Sequence, residues 1–573
     1  MLDERIDGAT IVDGSGGRPY RGSVGIGDGR IVLDPDEPAR RTVDGDGLVV
    51  CPGFVDLHTH YDAQLFWDPT ASPSNAHGVT TVVGGNCSFG LAPLQARDAD
   101  YLRRLMAKVE GMPLGALEQG LPWTWETFGQ YLDALEGRSA VNAGFLVGHS
   151  VLRRQVLGDE ANERAATADE LAALEALLDQ SLAEGGLGFS TDVSSYHSDG
   201  DGRPVPARGA DAHEILALCR ATGRRPGTTV AGIFQGGSDG FSDQEIDLMV
   251  AMSTEADRPL NWNVLTVDAR NPERIDRQMA PSRRAAALGG RVVALTMPVI
   301  VPMNMSFLTY CALNLMPGWG PILNAPVPER MRLLEDPEHR RMMLARADSE
   351  EAGMFRRLAD FAGYVIGDTY SEANAGLEGR TVGAIAAERG TEPFDTLVDV
   401  VLADDLRTVL WPSAPDDDDA HWRLRAALWD DPDIVLGGSD AGAHLDRMCG
   451  GTYPTQHLAD TLRGRQLQSL ERAVADLTAV PAELFGLKDR GVVADGACAD
   501  LVVFDPERIG AGAATLVVDL PGASPRMTAP AEGIERVYVN GVATVVGGRS
   551  TGDLPGTVLR SGRHTRTVTV APG

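Results

Sequence analysis

Lysine is almost missing from this chain of 573 residues: Lys108 and Lys488 are the only two. Chemistry that needs a lysine therefore has two candidates. Positive charge is short as a whole. Lys plus Arg number 51 against 81 Asp plus Glu, a formal net charge of −30. That argues against nucleic acid and anionic membrane as partners, because both select basic surfaces. Cysteine is also sparse. Cys51, Cys87, Cys219, Cys311, Cys449 and Cys498 are scattered, with no CxxC pair. This spacing excludes a dense disulfide framework and predicts free thiols in a reducing, cytoplasmic setting. No apolar run reaches the roughly 18 residues of a membrane span. The start, MLDERIDGATIVDG, is acidic and lacks the apolar stretch of a signal peptide. The expected partner is a small-molecule substrate. The sequence leaves a homo-oligomer open.

Composition is otherwise that of a globular protein, 43% apolar and 23% charged. Short β-rich runs separated by Gly and Asp fill residues 1–52 and recur at 481–573, as in ADLVVFD and GIERVYVNGVATVVGG. Together they predict one small β-sandwich domain built from both termini. Between them, residues 53–480 alternate apolar strand runs with helical stretches. The expected strands are 53–58, 80–84, 143–147, 187–190, 228–233, 260–264, 291–296 and 434–437. Helical patterns at 168–184, 211–222 and 244–256 lie between them. Eight β/α units predict an α/β fold, a TIM (β/α)8 barrel. The long gap before the eighth strand reads as an insertion over about 300–430. The run Asp416–Asp419 within it reads as a solvated loop.

Chemistry concentrates at two places. In PGFVDLHTH, Pro52 to His60, alternate residues of an extended strand share a face. His58 and His60 therefore point together from the C-terminal end of the first strand, where barrel active sites lie. Paired imidazoles suit Zn²⁺ and similar ions. At the close of the eighth strand stands Gly437-Gly438-Ser439-Asp440. In a closed barrel Asp440 neighbours the histidine pair, where it can bind metal and accept a proton from water. Capping the next helix is the other reading of a lone Ser-Asp.

With these residues in view, PGFVDLHTHYDAQLFWDP followed by HGVTTVVGGNCSFGLAP resembles the amidohydrolase superfamily. More narrowly, the chain resembles the D-aminoacylase (N-acyl-D-amino-acid deacylase) branch. VNAGFLVGHSVLR, GGLGFST, GGSDAGAH and GLKDRGVVADGACADLVVFDP extend the likeness nearly end to end. The resemblance implies a metal-dependent hydrolase of an amide C–N bond, most simply that of an N-acyl amino acid. Water is activated by metal, and Asp440 is the general base. His58 and His60 match two metal ligands, Cys87 a ligand cysteine of this branch, and Asp440 the catalytic aspartate. A hydrolase of cyclic amides or other C–N bonds is the alternative, and a non-catalytic descendant the more remote one.

The departures from that pattern are informative. The branch supplies histidines from the fifth and sixth strands, yet GTTVAGIFQGG (227–237) and LNWNVLTVD (260–268) contain none. Lys108 and Lys488 are badly placed for a bridging carboxylated lysine. One zinc per chain, held by His58, His60, Asp440 and Cys87, is therefore expected, with another divalent metal as the alternative. His149 and His197 are candidates to contact substrate, and His444 with Arg447 to bind a carboxylate. His77 reads as structural.

Overall fold

The computed structural model describes residues 1–309, 311–414 and 416–570. Residues 1–299 with 422–573 form one compact unit, and residues 300–421 form another.

In the larger unit all eight expected strand runs are strands, and all pair in parallel. Phe54–Asp56, Val79–Gly84 and Asn142–Phe145 make one sheet in that order. Val147–Gly148, Gly188–Asp192, Thr229–Ile233, Leu260–Trp262, Val292–Thr296 and Ile434–Leu436 make a second. Only Leu146 separates Asn142–Phe145 from Val147–Gly148, so one stretch of chain serves both sheets. At the other side Thr59 bridges Ala441 in parallel. There the His60 N–H donates to the Ala441 carbonyl at 2.7 Å, and the Asp440 N–H to that of His58 at 3.1 Å.

Every residue of these strands is buried. That is why they read as apolar runs, not alternating ones: a parallel strand is covered on both faces. The intervening helices begin where capping residues dictate. Thr167 and Ser242 cap Ala168–Ala183 and Asp243–Ala256 through reciprocal boxes with Glu170 and Glu245, and Asp211 caps Ala212–Gly223.

The two ends of the chain share a single nine-stranded sheet. Its junction is the antiparallel pairing of Leu501–Phe504 with Val49–Pro52, the strand that leads straight into the histidine motif. Ile6, Ile11, Val24, Val50, Leu501 and Tyr538 build its core. The smaller unit packs helices Val327–Glu335, Pro337–Ala347, Val382–Arg389 and Pro393–Ala403 around Trp319, Phe361, Tyr364 and Phe394. Asp418 caps the helix Asp419–Leu428, accepting from the Ala420 and His421 N–H groups. Among the described residues no helix is long and apolar enough to cross a membrane.

Candidate metal centre and active site

The first and eighth parallel strands are laced together by the two motifs themselves. Ser439 donates its hydroxyl to the Asp56 carboxylate, which also accepts from the His58 and Ser439 N–H groups. Burial pushes Asp56 up to about 6, against the pull of these hydrogen bonds. Gly442 (φ 91°) lies so close to His60 that a Cβ would come within 2.6 Å of its carbonyl carbon, so the approach requires glycine. The lacing brings Asp440 beside the histidines.

His58 Nε2 stands 3.2 Å from Cys87 Sγ and 3.2 Å from Asp440 Oδ1. His60 Nε2 stands 3.7 and 3.4 Å from the same two atoms. Both imidazoles and the thiol are buried, whereas the Asp440 side chain is 36% exposed. Two ligands of one zinc, each about 2.0–2.3 Å from it, stand roughly 3.3–3.6 Å apart at tetrahedral angles. The separations found here bracket that value, and two imidazoles, a thiol and a carboxylate are a zinc donor set. His58, His60 and Cys87 form the compact potential metal-binding group found among the described residues.

Backbone geometry marks the same place. Cys87 (φ 56°), Asp440 (φ 54°) and His444 (φ 52°) all sit in the left-handed region that most side chains avoid. Electrostatics mark it too. Burial pushes the Cys87 thiol up, and nearby Glu110, Asp440 and Asp192 push it further. Only a cation at this spot would make it a thiolate. Asp440 is held well below the carboxylate range by its contacts with His58 and His60, which outweigh the loss of solvent around it. Several buried polar atoms here have no hydrogen-bond partner: His58 Nδ1, His444 Nδ1 and Asp62 Oδ2.

Two residues at the centre were not singled out from the sequence. Glu110, fully buried at the end of Ala99–Val109, places Oε1 3.4 Å from His60 Nδ1, and its carbonyl accepts the His444 N–H. Burial drives its carboxyl well above the usual range. Nothing local marks Glu110, since it lies 50 residues beyond His60 in a helix-end loop. Asn263 carries its Nδ2 to 3.2 Å from His58 Nε2 and hydrogen-bonds the Cys87 side chain. Its signal was present: it follows the sixth strand, in the stretch that lacks the expected histidine.

The four expected substrate contacts divide. His444 and Arg447 lie together over Gly111, where a Cβ would come within 2.6 Å of Arg447 Nη2 and 3.2 Å of His444 Nδ1. Burial lowers His444 to about 4. Arg447 also binds Asp446. His197 is tied through Nδ1 to Asp192 at 2.6 Å, is half-buried, and acts electrostatically on His60 and His444. His149 departs from the expectation. It opens the helix His149–Leu157 fully buried, with Nδ1 on Thr191 Oγ1 at 2.9 Å and Nε2 on Glu214 Oε1 at 2.8 Å. Both ring nitrogens are occupied, so it is a structural link and not a substrate contact. His77 is likewise filled, by Thr455 and the Ala529 carbonyl. Asp199 accepts from Asn162, Tyr101 and Arg203, which staples its loop.

The model of the amidohydrolase family matches residues 41–551. The chain belongs to the amidohydrolase family. As an amidohydrolase it is a hydrolase of carbon–nitrogen bonds. It is 30% identical to the D-aminoacylase of Alcaligenes xylosoxydans xylosoxydans over 568 residues, covering 97% of each chain. Identity is also 30% with that organism's N-acyl-D-aspartate deacylase, over 98% of this amidohydrolase and 96% of the relative. Among solved structures, a D-aminoacylase described as having a binuclear metal centre superposes with a TM-score of 0.62 at 27% identity, covering 98% of this chain and all of the other.

Proposed function

We propose that this amidohydrolase removes the acyl group from an N-acyl amino acid, using one divalent metal, most simply zinc. The observation that carries the reading is the convergence of His58 Nε2, His60 Nε2, Cys87 Sγ and Asp440 Oδ1 at zinc-ligand spacing. These four residues would hold the metal. A divalent cation held there lowers the pKa of water and polarises a carbonyl. Asp440, the most open of the four, takes the water proton on its carboxylate and passes it to the departing nitrogen. Arg447 and His444 receive the substrate carboxylate, Arg447 being suited to a bidentate pair. His197, with Nδ1 held on Asp192, keeps Nε2 available as a donor to the carbonyl under attack.

The preference for one metal rests on the fifth and sixth strands. Neither brings a histidine, and Asn263 stands against His58 and Cys87 instead. The D-aminoacylase on which this chain superposes has, by contrast, a binuclear centre. We read the two parallel sheets as one (β/α)8 barrel, on the support of the shared strand at 142–148 and the bridge from Thr59 to Ala441. The nine-stranded sheet is then the core of a small β-domain of residues 1–52 and 481–573, a single sheet where a sandwich was expected, and residues 300–421 are an insertion. Six unpaired cysteines favour a cytoplasmic setting.

The test is metal content per chain in protein purified without added metal, with His58→Ala as control, followed by a screen of N-acyl amino acids of both hands. About one zinc, lost in the variant, with release of free amino acid supports the proposal. Two metals per chain overturn the single-metal reading. No metal, and no turnover when zinc is added, overturns the enzymatic one.

A further inference from the structure

A cavity of about 460 Å³ opens where the turn at Asp28-Gly29-Arg30, the segment Lys488–Arg490 and the C-terminal stretch Thr557–His564 meet. This is within the size range of small-ligand sites, about 300–1,000 Å³. It lies at the opposite end of the parallel strands from the metal centre. The Thr557 N–H donates to Asn142, which opens the third strand, and Thr565 binds the Gly227 carbonyl just before the fifth.

The cavity is basic in a chain of net charge −30. Lys488 donates its ammonium to the carbonyls of Gly562 (2.8 Å) and Arg563 (3.2 Å). That grip pins one of the two lysines beside the turn that carries Arg563. Among the described residues neither Lys488 nor Arg563 has a carboxylate within ion-pair reach, although acids outnumber bases 81 to 51. Arg30 reaches Asp489 and the Gly496 carbonyl through Nη1 alone. Beneath them Arg490, 7% exposed, is fixed by Asp500 and Asn540. His564 adds a neutral donor. Its Nδ1 accepts the Arg560 N–H at 2.9 Å, so its proton sits on Nε2. Burial and four surrounding cations push that ring down to about 4, which registers the positive potential. Arg30 and Arg490 thus have carboxylate partners, whereas Lys488 and Arg563 are held side by side without one among the described residues, a pair of like charges that an anion would relieve.

We propose that this cavity is an anion site for a phosphoryl group, free or carried by a small metabolite, bound by Lys488, Arg563, Arg30 and His564 Nε2–H. Of the two carboxylates in the lining, Asp489 is engaged by Arg30, while Asp28 opposes the anion and is outweighed by the four cationic side chains around it. The proposal is independent of the hydrolase reading.

Isothermal titration of the full chain at low ionic strength, with inorganic phosphate and separately with AMP, tests it. Saturable one-site binding is expected, weakened about tenfold by Lys488→Met and by Arg563→Ser, with melting temperature and amide hydrolysis unchanged. Tighter binding of AMP assigns the site to a phosphorylated metabolite, and equal affinities assign it to free phosphate. Either supports the site. No saturable heat up to about 10 mM of either probe, or affinity unaltered in both variants, overturns it.

Discussion

Two buried clusters in this amidohydrolase each set histidine against a carboxylate, and they behave oppositely. In one, His149, Glu214, Arg153 and Thr191 satisfy one another. Arg153 Nη1 donates to both Glu214 oxygens at 2.6 Å and its Nη2 to the Ala161 carbonyl at 3.0 Å, while His149 uses both ring nitrogens. In the other, His58, His60, Cys87, Asp440 and Glu110 meet with His58 Nδ1 left over, and with left-handed backbone at Cys87 and Asp440. A buried polar group without a partner costs stability, and beside the donor atoms facing one another at zinc-ligand spacing it marks a place where something else is to be bound. The first cluster is complete as protein; the second is complete only with a ligand. A buried histidine beside a carboxylate is therefore not enough to identify a site, whereas the donors left unmatched are.

The contrast is testable in order of effect. Asp440→Asn should lower turnover by roughly 10²–10⁴-fold with the melting temperature retained, because the general base is lost and the core is not. Steady-state rates with calorimetry check this, and near-normal turnover would remove Asp440 from the mechanism. Glu214→Gln should do the reverse. It leaves Arg153 buried without its carboxylate, at a cost of about 3–5 kcal/mol in denaturant unfolding, while turnover per folded molecule holds.

The acid limb sharpens that prediction. Burial opposes ionisation of Glu214, yet His149 and Arg153 hold it at about 2, against an ordinary 4.5. A carboxyl lowered on folding contributes its stability above the unfolded value and loses it as pH falls through the folded one. Stability of the parent should therefore fall between pH 4.5 and about 2, and the Gln variant should lack this part of the loss. Glu110→Gln is the smallest perturbation. With the carboxyl beside His60 Nδ1 replaced by an amide, zinc affinity should weaken by about 10–100-fold, read by competition with a chelator. Unchanged affinity would leave Glu110 a packing residue.

Much of this was legible in the sequence. Fully buried parallel strands require continuous apolar runs, so all eight stood out, and the capping residues Thr167, Asp211 and Ser242 fixed the helix starts between them. The spacing of His58 and His60 carried its geometry directly, since residues two apart on a strand share a face. His149 misled because it occupies a strand end, just as His58 does. Sequence position says where a side chain starts but not whether Glu214, 65 residues on, has already claimed it. Glu110 went unseen for the converse reason, having no neighbour in sequence that shares its role.

Residue type and short-range periodicity alone determined the α/β alternation, the terminal β-rich segments, the histidine pair and the absence of a lysine able to bridge metals. These depend on interactions within a few residues, which a linear pattern records. Tertiary structure alone decided that Asp440 lies 3.2 Å from His58, that Asn263 stands against His58 and Cys87, that Glu110 backs His60, and that His149 is spent. Each of these is a meeting of segments far apart in the chain. It is fixed by how buried strands stack and by which polar atoms find partners once water is gone.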